Sequence, residues 1–276
     1  MAFAKIAQLS AGDGFPVRLV GVVNVSPESF YGGSVATDVH RIVDLAHRLV
    51  AEGADLLDIG AMSTAPYRQT AIGEDEEIRR MTAALSALRG EVKVPLSADT
   101  QRASVAAAAL AAGASVINDV SGLGHDPRMA EVAARAQGVI LMARSEEPTQ
   151  SPPMQMLLHL FREILGRARQ AGIPEERIVL DPGIGFHRRA ALPWDEVDSL
   201  VVGELAQLRA FGRPLLVGIS RKSFIGKITG KQDPADRLWG SLAATSVAVY
   251  NGAALVRTHD VAATRDAVRV AERLRG

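Results

Sequence analysis

Residues with chemistry to offer recur at intervals along this chain, each just past a short apolar run. They are Asn24, Asp58, Asp99, Asn118 with Asp119, Met142 with Arg144, Asp181, Ser220 with Arg221 and Lys222, and Arg257 with His259. A polar residue at the end of an apolar run often reflects only the solvated loop that follows. Four features exceed that reading: Asp99 and Asn118 close apolar runs, Asp181 precedes Pro-Gly, and Lys222 follows an arginine. Two carboxylates and an amide in a low-dielectric cleft suit a flat heterocycle with several ring N–H and amino groups. Arg257, His259 and Lys222 form a basic set suited to a phosphorylated ligand.

What could bring such scattered residues together is a repeat of strands and helices. Eight apolar runs, at 19–25, 55–59, 94–99, 115–119, 138–143, 177–181, 214–219 and 254–259, alternate with Ala-rich stretches of helical periodicity, including 39–51, 74–88, 103–111 and 157–171. Gly53, Gly113 and Gly172 stand between helix and strand, where a left-handed C-terminal cap is expected. The pattern predicts an α/β fold, a (β/α)8 TIM barrel, and it places the polar residues at the C-terminal strand ends, where barrels build their sites. No linker divides the chain, so residues 1–276 are expected to form one domain.

Composition narrows the function. Aromatic residues are only 4% of the chain against 47% hydrophobic, so the core must be built from Ala, Val, Leu and Ile. Thirty-one basic residues balance thirty-one acidic ones, which leaves no global field for nucleic acid or an anionic membrane, and any anion must be bound locally. The absence of cysteine excludes disulfides, thiolate catalysis and cysteine-ligated metal. The first residues, with Asp13 and two glycines, read as neither signal peptide nor membrane span, so a cytoplasmic protein is expected. Gly183-Ile-Gly185 lacks the third glycine of a dinucleotide fingerprint, and His40, His47, His125 and His159 read as ordinary helix or loop residues.

At the same residues the chain resembles the dihydropteroate synthase family of pterin-binding barrels. The segments that carry the resemblance are Gly-Val-Val-Asn-Val-Ser-Pro-Glu-Ser-Phe (21–30), Gly-Ala-Asp-Leu-Leu-Asp-Ile-Gly (53–60) and Ile-Asn-Asp-Val-Ser-Gly (117–122). Three more follow in order: Leu-Asp-Pro-Gly-Ile-Gly-Phe (180–186), Gly-Ile-Ser-Arg-Lys-Ser-Phe-Ile-Gly (218–226) and Arg-Thr-His-Asp-Val (257–261). The resemblance implies condensation of a dihydropterin pyrophosphate with an arylamine such as 4-aminobenzoate. It implies a pterin pocket of Asp99, Asn118, Asp181 and Lys222, lined by Met142 and Phe186, with Arg257 stacking over the ring. Asp99, Asp181 and Lys222 would act in catalysis. Asn24 would help hold a Mg2+ on the pyrophosphate, Arg257 and His259 would contact that anion, and Ser223, Thr64 and Pro66 would meet the arylamine. A homodimer through outer helices is expected on the same ground.

The resemblance is incomplete. Residues 63–67 read Ser-Thr-Ala-Pro-Tyr where the family commonly has Ser-Thr-Arg-Pro-Gly, so Ala65 removes an anion contact that Arg68 would have to replace. Ala143-Arg144-Ser145 and His187-Arg188-Arg189 also depart from the family pattern. Three alternatives therefore stand: a related synthase using another arylamine, as in methanopterin-type cofactors; a pterin-dependent methyltransferase, which would not need the lysine motif; and a catalytically silent pterin-binding barrel. Lys222 has a second reading as a Schiff-base lysine, its pKa lowered by Arg221.

Overall fold

In the computed structural model, residues 1–26, 38–62, 72–144, 148, 150–190 and 192–276 are described. Their alternation of strand and helix follows the sequence pattern closely. The barrel strands are β3 (Arg18–Asn24), β4 (Leu56–Gly60), β5 (Leu96–Asp99), β6 (Val116–Asp119), β7 (Gly138–Met142), β8 (Ile178–Asp181), β9 (Leu215–Val217) and β10 (Ala253–Thr258). All are parallel, and β10 pairs with β3 to close the sheet into a barrel. The helices outside it are α1 (Val39–Glu52), α2 (Glu74–Leu88), α3 (Ala103–Ala112), α4 (Met129–Ala133), α5 (Pro153–Gln170), α6 (Trp194–Gly203), α7 (Ser223–Thr229), α8 (Leu238–Tyr250) and α9 (Val261–Arg275).

Local chemistry explains the helix ends. The Asp38 carboxylate caps α1 by accepting the Arg41 N–H, and four acidic residues in the first turn of α2 complement its dipole. Gly53 and Gly113 end α1 and α3 in the left-handed conformation, as expected. At the end of α5 the cap is Ala171, and Gly172 takes the left-handed conformation one residue later.

Strand alternation sorts side chains into two layers. Leu57, Ile59, Ile117, Leu141, Leu180 and Val256 face the helices and join the larger core. Leu56, Val116, Ile140, Val179, Leu216 and Leu255 fill the barrel interior. Continuing that parity to the strand ends turns Asn24, Asp58, Asp99, Asn118, Met142, Asp181 and Arg257 inward.

An element not anticipated from the sequence seals the other end. β1 (Phe3–Ile6) and β2 (Leu9–Gly12) form an antiparallel hairpin whose Ala4, Ile6 and Ala11 are fully buried against the interior layer. Ile6 comes so close that a Cβ on Gly138 would sit 2.5 Å from its own Cβ, so only glycine fits at the start of β7.

Candidate active site

A charged hub links the tips of four strands. Asp58 on β4 is fully buried, and its Oδ2 accepts from Arg257 Nε on β10 at 2.7 Å and from Asn118 Nδ2 on β6 at 2.9 Å. The other end of the Arg257 guanidinium donates from Nη2 to Asp99 Oδ2 on β5 at 2.9 Å. Burial disfavours the Arg257 charge, but Asp58 and Asp99 more than restore it, so the guanidinium titrates above its ordinary range. Burial pushes Asp99 well up from the usual carboxylate range; Arg257 opposes the shift and Asp58 adds to it. One oxygen of each carboxylate, Asp58 Oδ1 and Asp99 Oδ1, is buried without a hydrogen-bond partner, which leaves acceptors for a ligand with ring N–H and amino groups.

Across the mouth, Asp181 ends β8 opposite Met142 on β7 and accepts the Gly183 N–H at 2.7 Å. Burial raises its pKa to about 6. Lys222 reaches in from the turn after β9, its ammonium 4.5 Å from the centre of the Phe186 ring. Gly185, at φ +90°, makes room for it: a Cβ there would meet Lys222 Cδ at 3.0 Å and Nζ at 3.1 Å. Burial lowers the Lys222 pKa to about 8, against the opposing charges of Asp198 and Asp181. Arg221 is not the cause expected from the sequence. It sits at φ +59°, its guanidinium gripping Asp260 at 2.8 and 2.7 Å and the carbonyls of Pro234 and Ala235. This network holds the left-handed turn from which Lys222 projects.

His259 corrects a second expectation. Burial, with Arg257 next, lowers its pKa to about 3, so it carries no charge at neutral pH and the basic set reduces to Arg257 and Lys222. Its Nδ1 lies 2.9 Å from Ser220 Oγ, which also accepts the His259 backbone N–H at 3.3 Å. The ring is therefore a neutral imidazole tied to Ser220 through Nδ1, and which of the two atoms donates depends on the tautomer.

The remaining expected residues separate. Asn24 ends β3 beside Gly60; its Oδ1 lies 3.2 Å, and Asp99 Oδ2 3.8 Å, from the point a Gly60 Cβ would occupy. Ser223 follows Lys222 and accepts from Arg188 Nη2 at 2.7 Å. Thr64 and Pro66, with Ala65 and Arg68, lie outside the described residues. Asp119 faces outward, where burial raises its pKa while Ser121 and Leu123 donate to it, so it shapes a turn. His40, His47, His125 and His159 are exposed helix or loop residues, as expected.

Two residues given no role from the sequence belong to the site. Asp58 is the hub itself; its inward parity with Asn24 and Asp99 was the available signal. Asp198 is buried in α6, accepts the Gly185 N–H at 2.7 Å, and is the foremost charge opposing the loss of the Lys222 proton. Its signal was an acid among the apolar residues Val197, Val201 and Val202.

A parallel barrel whose strand ends carry this hub, with a lysine facing two carboxylates, defines a class, and the comparisons agree. A model of the family described as pterin binding enzyme matches residues 20–259. The chain belongs to the pterin-binding enzymes. A dihydropteroate synthase from Synechocystis is 38% identical over 267 residues, covering 93% of this chain and 89% of that protein. Among solved structures, the Xanthomonas albilineans dihydropteroate synthase with 4-aminobenzoic acid is 37% identical at TM-score 0.88, covering 99% of this chain and 98% of its own. The same enzyme in complex with 7,8-dihydropteroate is matched at 34% identity and TM-score 0.85, over 100% of this chain and 99% of its own. Within the pterin-binding class, the chain is therefore a member of the dihydropteroate synthase family.

Proposed function

We propose that the chain condenses 6-hydroxymethyl-7,8-dihydropterin pyrophosphate with 4-aminobenzoate, releasing 7,8-dihydropteroate and pyrophosphate. The observation that carries this reading is the inward ring of Asp58, Asp99, Asn118, Asp181 and Lys222 with Arg257 bridging two carboxylates. The unpartnered oxygens of Asp58 and Asp99 accept from the pterin's ring N–H and amino groups. Met142 and Phe186 supply apolar contact along the pterin, and Arg257 packs beside it.

In the reaction, the bond from the pterin methylene to the pyrophosphate oxygen breaks and a bond from the amine nitrogen forms, with loss of an amine proton. As the leaving group departs, positive charge spreads into the pterin, and Asp99 and Asp181 stabilise it in a buried site. Lys222 donates to the pterin. Arg257 donates to the pyrophosphate, and the neutral His259 contacts it. Ser223, Thr64 and Pro66 contact the arylamine.

Magnesium supplies neutralisation of the departing oxygens when bound. Among the described residues no three His, Asp or Glu side chains are grouped to hold a metal, and the Asn24 amide oxygen is a single ligand. A single amide ligand suits a cation held chiefly by its substrate, so Asn24 would help hold the Mg2+ and the cation would neutralise charge on the leaving group.

The assembly we propose is a homodimer. Trp239, Val247 and Tyr250 are exposed on α8, at positions that fall on one side of the helix, an apolar surface of the kind association covers. Among the described residues no helix is long and apolar enough to cross a membrane. Calorimetry with pteroic acid tests the pocket: Asn118→Ala should weaken binding about tenfold, through loss of a ligand bond and release of Asp58. Equal affinity in the variant would remove Asn118 from the pocket.

A further inference from the structure

Outside the barrel wall, α2 buries a carboxylate that no step of the condensation uses. Glu77 is fully buried, and the other buried residues of that helix, Met81, Ala84, Leu85 and Leu88, are apolar. Its Oε1 accepts from the Thr100 hydroxyl at 2.7 Å, and its Oε2 accepts from Arg102 Nη1 at 2.7 Å. Arg102 Nη2 donates to the Ile72 carbonyl at 3.0 Å, just ahead of α2, and the Arg102 backbone N–H donates to Thr100 Oγ1 at 3.2 Å. Thr100 directly follows Asp99, and its own N–H donates to the Asn118 carbonyl at 3.1 Å. The Ala103 N–H donates to Asp126 Oδ2 at 3.0 Å. The turn after β5 is thus tied to α2, to β6 and to the segment that leads into α4.

Taking two opposite charges out of water is costly, and apolar residues of similar volume would pack α2 against the wall at least as well. What Glu77 supplies and an apolar side chain cannot is direction: two acceptors at fixed points, one for the residue that follows Asp99 and one for Arg102. We infer that Glu77, acting through Thr100 and Arg102, is a positioning residue that fixes the aim of the Asp99 carboxylate at the pterin. The inference rests on the synthase reading of the site. Asp99 has two tasks that depend on aim. Its Oδ2 holds Arg257 at 2.9 Å, and its Oδ1, buried without a partner, is the acceptor offered to the pterin. Glu77 stands near enough for its charge to be felt at Asp99, beside those of Arg257, Asp58 and Lys222. A turn free to shift by about 1 Å would spoil both contacts, and a displacement of that size can cost about 100-fold in rate.

Steady-state kinetics on wild type, Thr100→Val, Thr100→Ser and Glu77→Gln, with melting temperatures measured alongside, separate this role from a packing one. Thr100→Val keeps the shape and loses the hydroxyl. In it kcat should fall about 10- to 100-fold and KM for the dihydropterin pyrophosphate should rise, while KM for 4-aminobenzoate stays unchanged. Thr100→Ser keeps the hydroxyl and should restore both parameters to near wild type. Glu77→Gln sets an amide N–H against a donor and should show the same split as Thr100→Val; if it does not fold, the threonine pair carries the test. Wild-type kcat and KM in Thr100→Val, whatever its melting temperature, would reduce Glu77 to packing and overturn the inference. Equal losses in Thr100→Ser and Thr100→Val, or a matching rise in KM for 4-aminobenzoate, would overturn it too. No product from wild type would overturn the synthase reading and the inference with it.

Discussion

Asp181 and Lys222 both hold their charges against burial, one with a pKa raised to about 6 and the other lowered to about 8. If the reaction needs Asp99 and Asp181 ionised and Lys222 protonated, kcat/KM falls as pH drops through about 7, where Asp99 takes up its proton, and then about 6, where Asp181 does. It falls again as pH rises through about 8. Asp198 opposes the lowering at Lys222, so Asp198→Asn should move the alkaline limb to lower pH. An unmoved limb would show that Lys222 does not set it. The raised acid also bears on stability. Between the unfolded carboxylate value, about 4, and about 6 the folded Asp181 binds more protons than the unfolded chain, so its contribution falls as pH rises through that window. Asp181→Asn should therefore raise the melting temperature relative to wild type at pH 7, with the gain vanishing near pH 4 while activity is lost; equal melting temperatures at both pH values would contradict the raised pKa. Asp99, Asn118 and Lys222 stand out in the sequence because each breaks an apolar run or a motif. Asp58 was visible too, yet its task depends on Arg257, almost two hundred residues away, and no local pattern pairs them. The charge state of His259 was misjudged for a related reason: burial, which sequence does not measure, decides it.

The barrel was legible because each strand is a compact apolar run between glycine-ended helices, and the parity that puts Leu56, Val116 and Ile140 inside also puts Asp58, Asn118 and Met142 at the mouth. The hairpin of β1 and β2 has no strong signature in the sequence because its strands are four residues each, only β1 alternates buried and exposed positions, and both carry small residues such as Ala4 and Ala11. Such a segment has no apolar run of its own; its burial exists only once the barrel is closed. It is a plug, so its removal should cost stability without touching the chemistry at the opposite end. Ile6→Ala should destabilise the protein by about 2–5 kcal/mol in denaturant unfolding, the usual cost of emptying a core isoleucine, with KM for both substrates unchanged. A change in KM without loss of stability would contradict that division of the barrel.

For the molecule as a whole, balanced charge leaves recognition to the mouth and association to apolar surface. Trp239 is 78% exposed on α8, which is costly unless another surface covers it. Trp239→Lys should convert a dimer to a monomer in light scattering, and a wild-type monomer would refute the proposed assembly. The central claim is that the ring of carboxylates, amide and lysine at the strand ends drives pyrophosphate loss and hands the pterin to an arylamine. The most direct test is pyrophosphate release from 6-hydroxymethyl-7,8-dihydropterin pyrophosphate with Mg2+, with and without 4-aminobenzoate, with the product identified by mass. The account predicts release accompanied by stoichiometric 7,8-dihydropteroate, and loss of both in Asp99→Asn. Pyrophosphate release without dihydropteroate, or wild-type rates in Asp99→Asn, would contradict it.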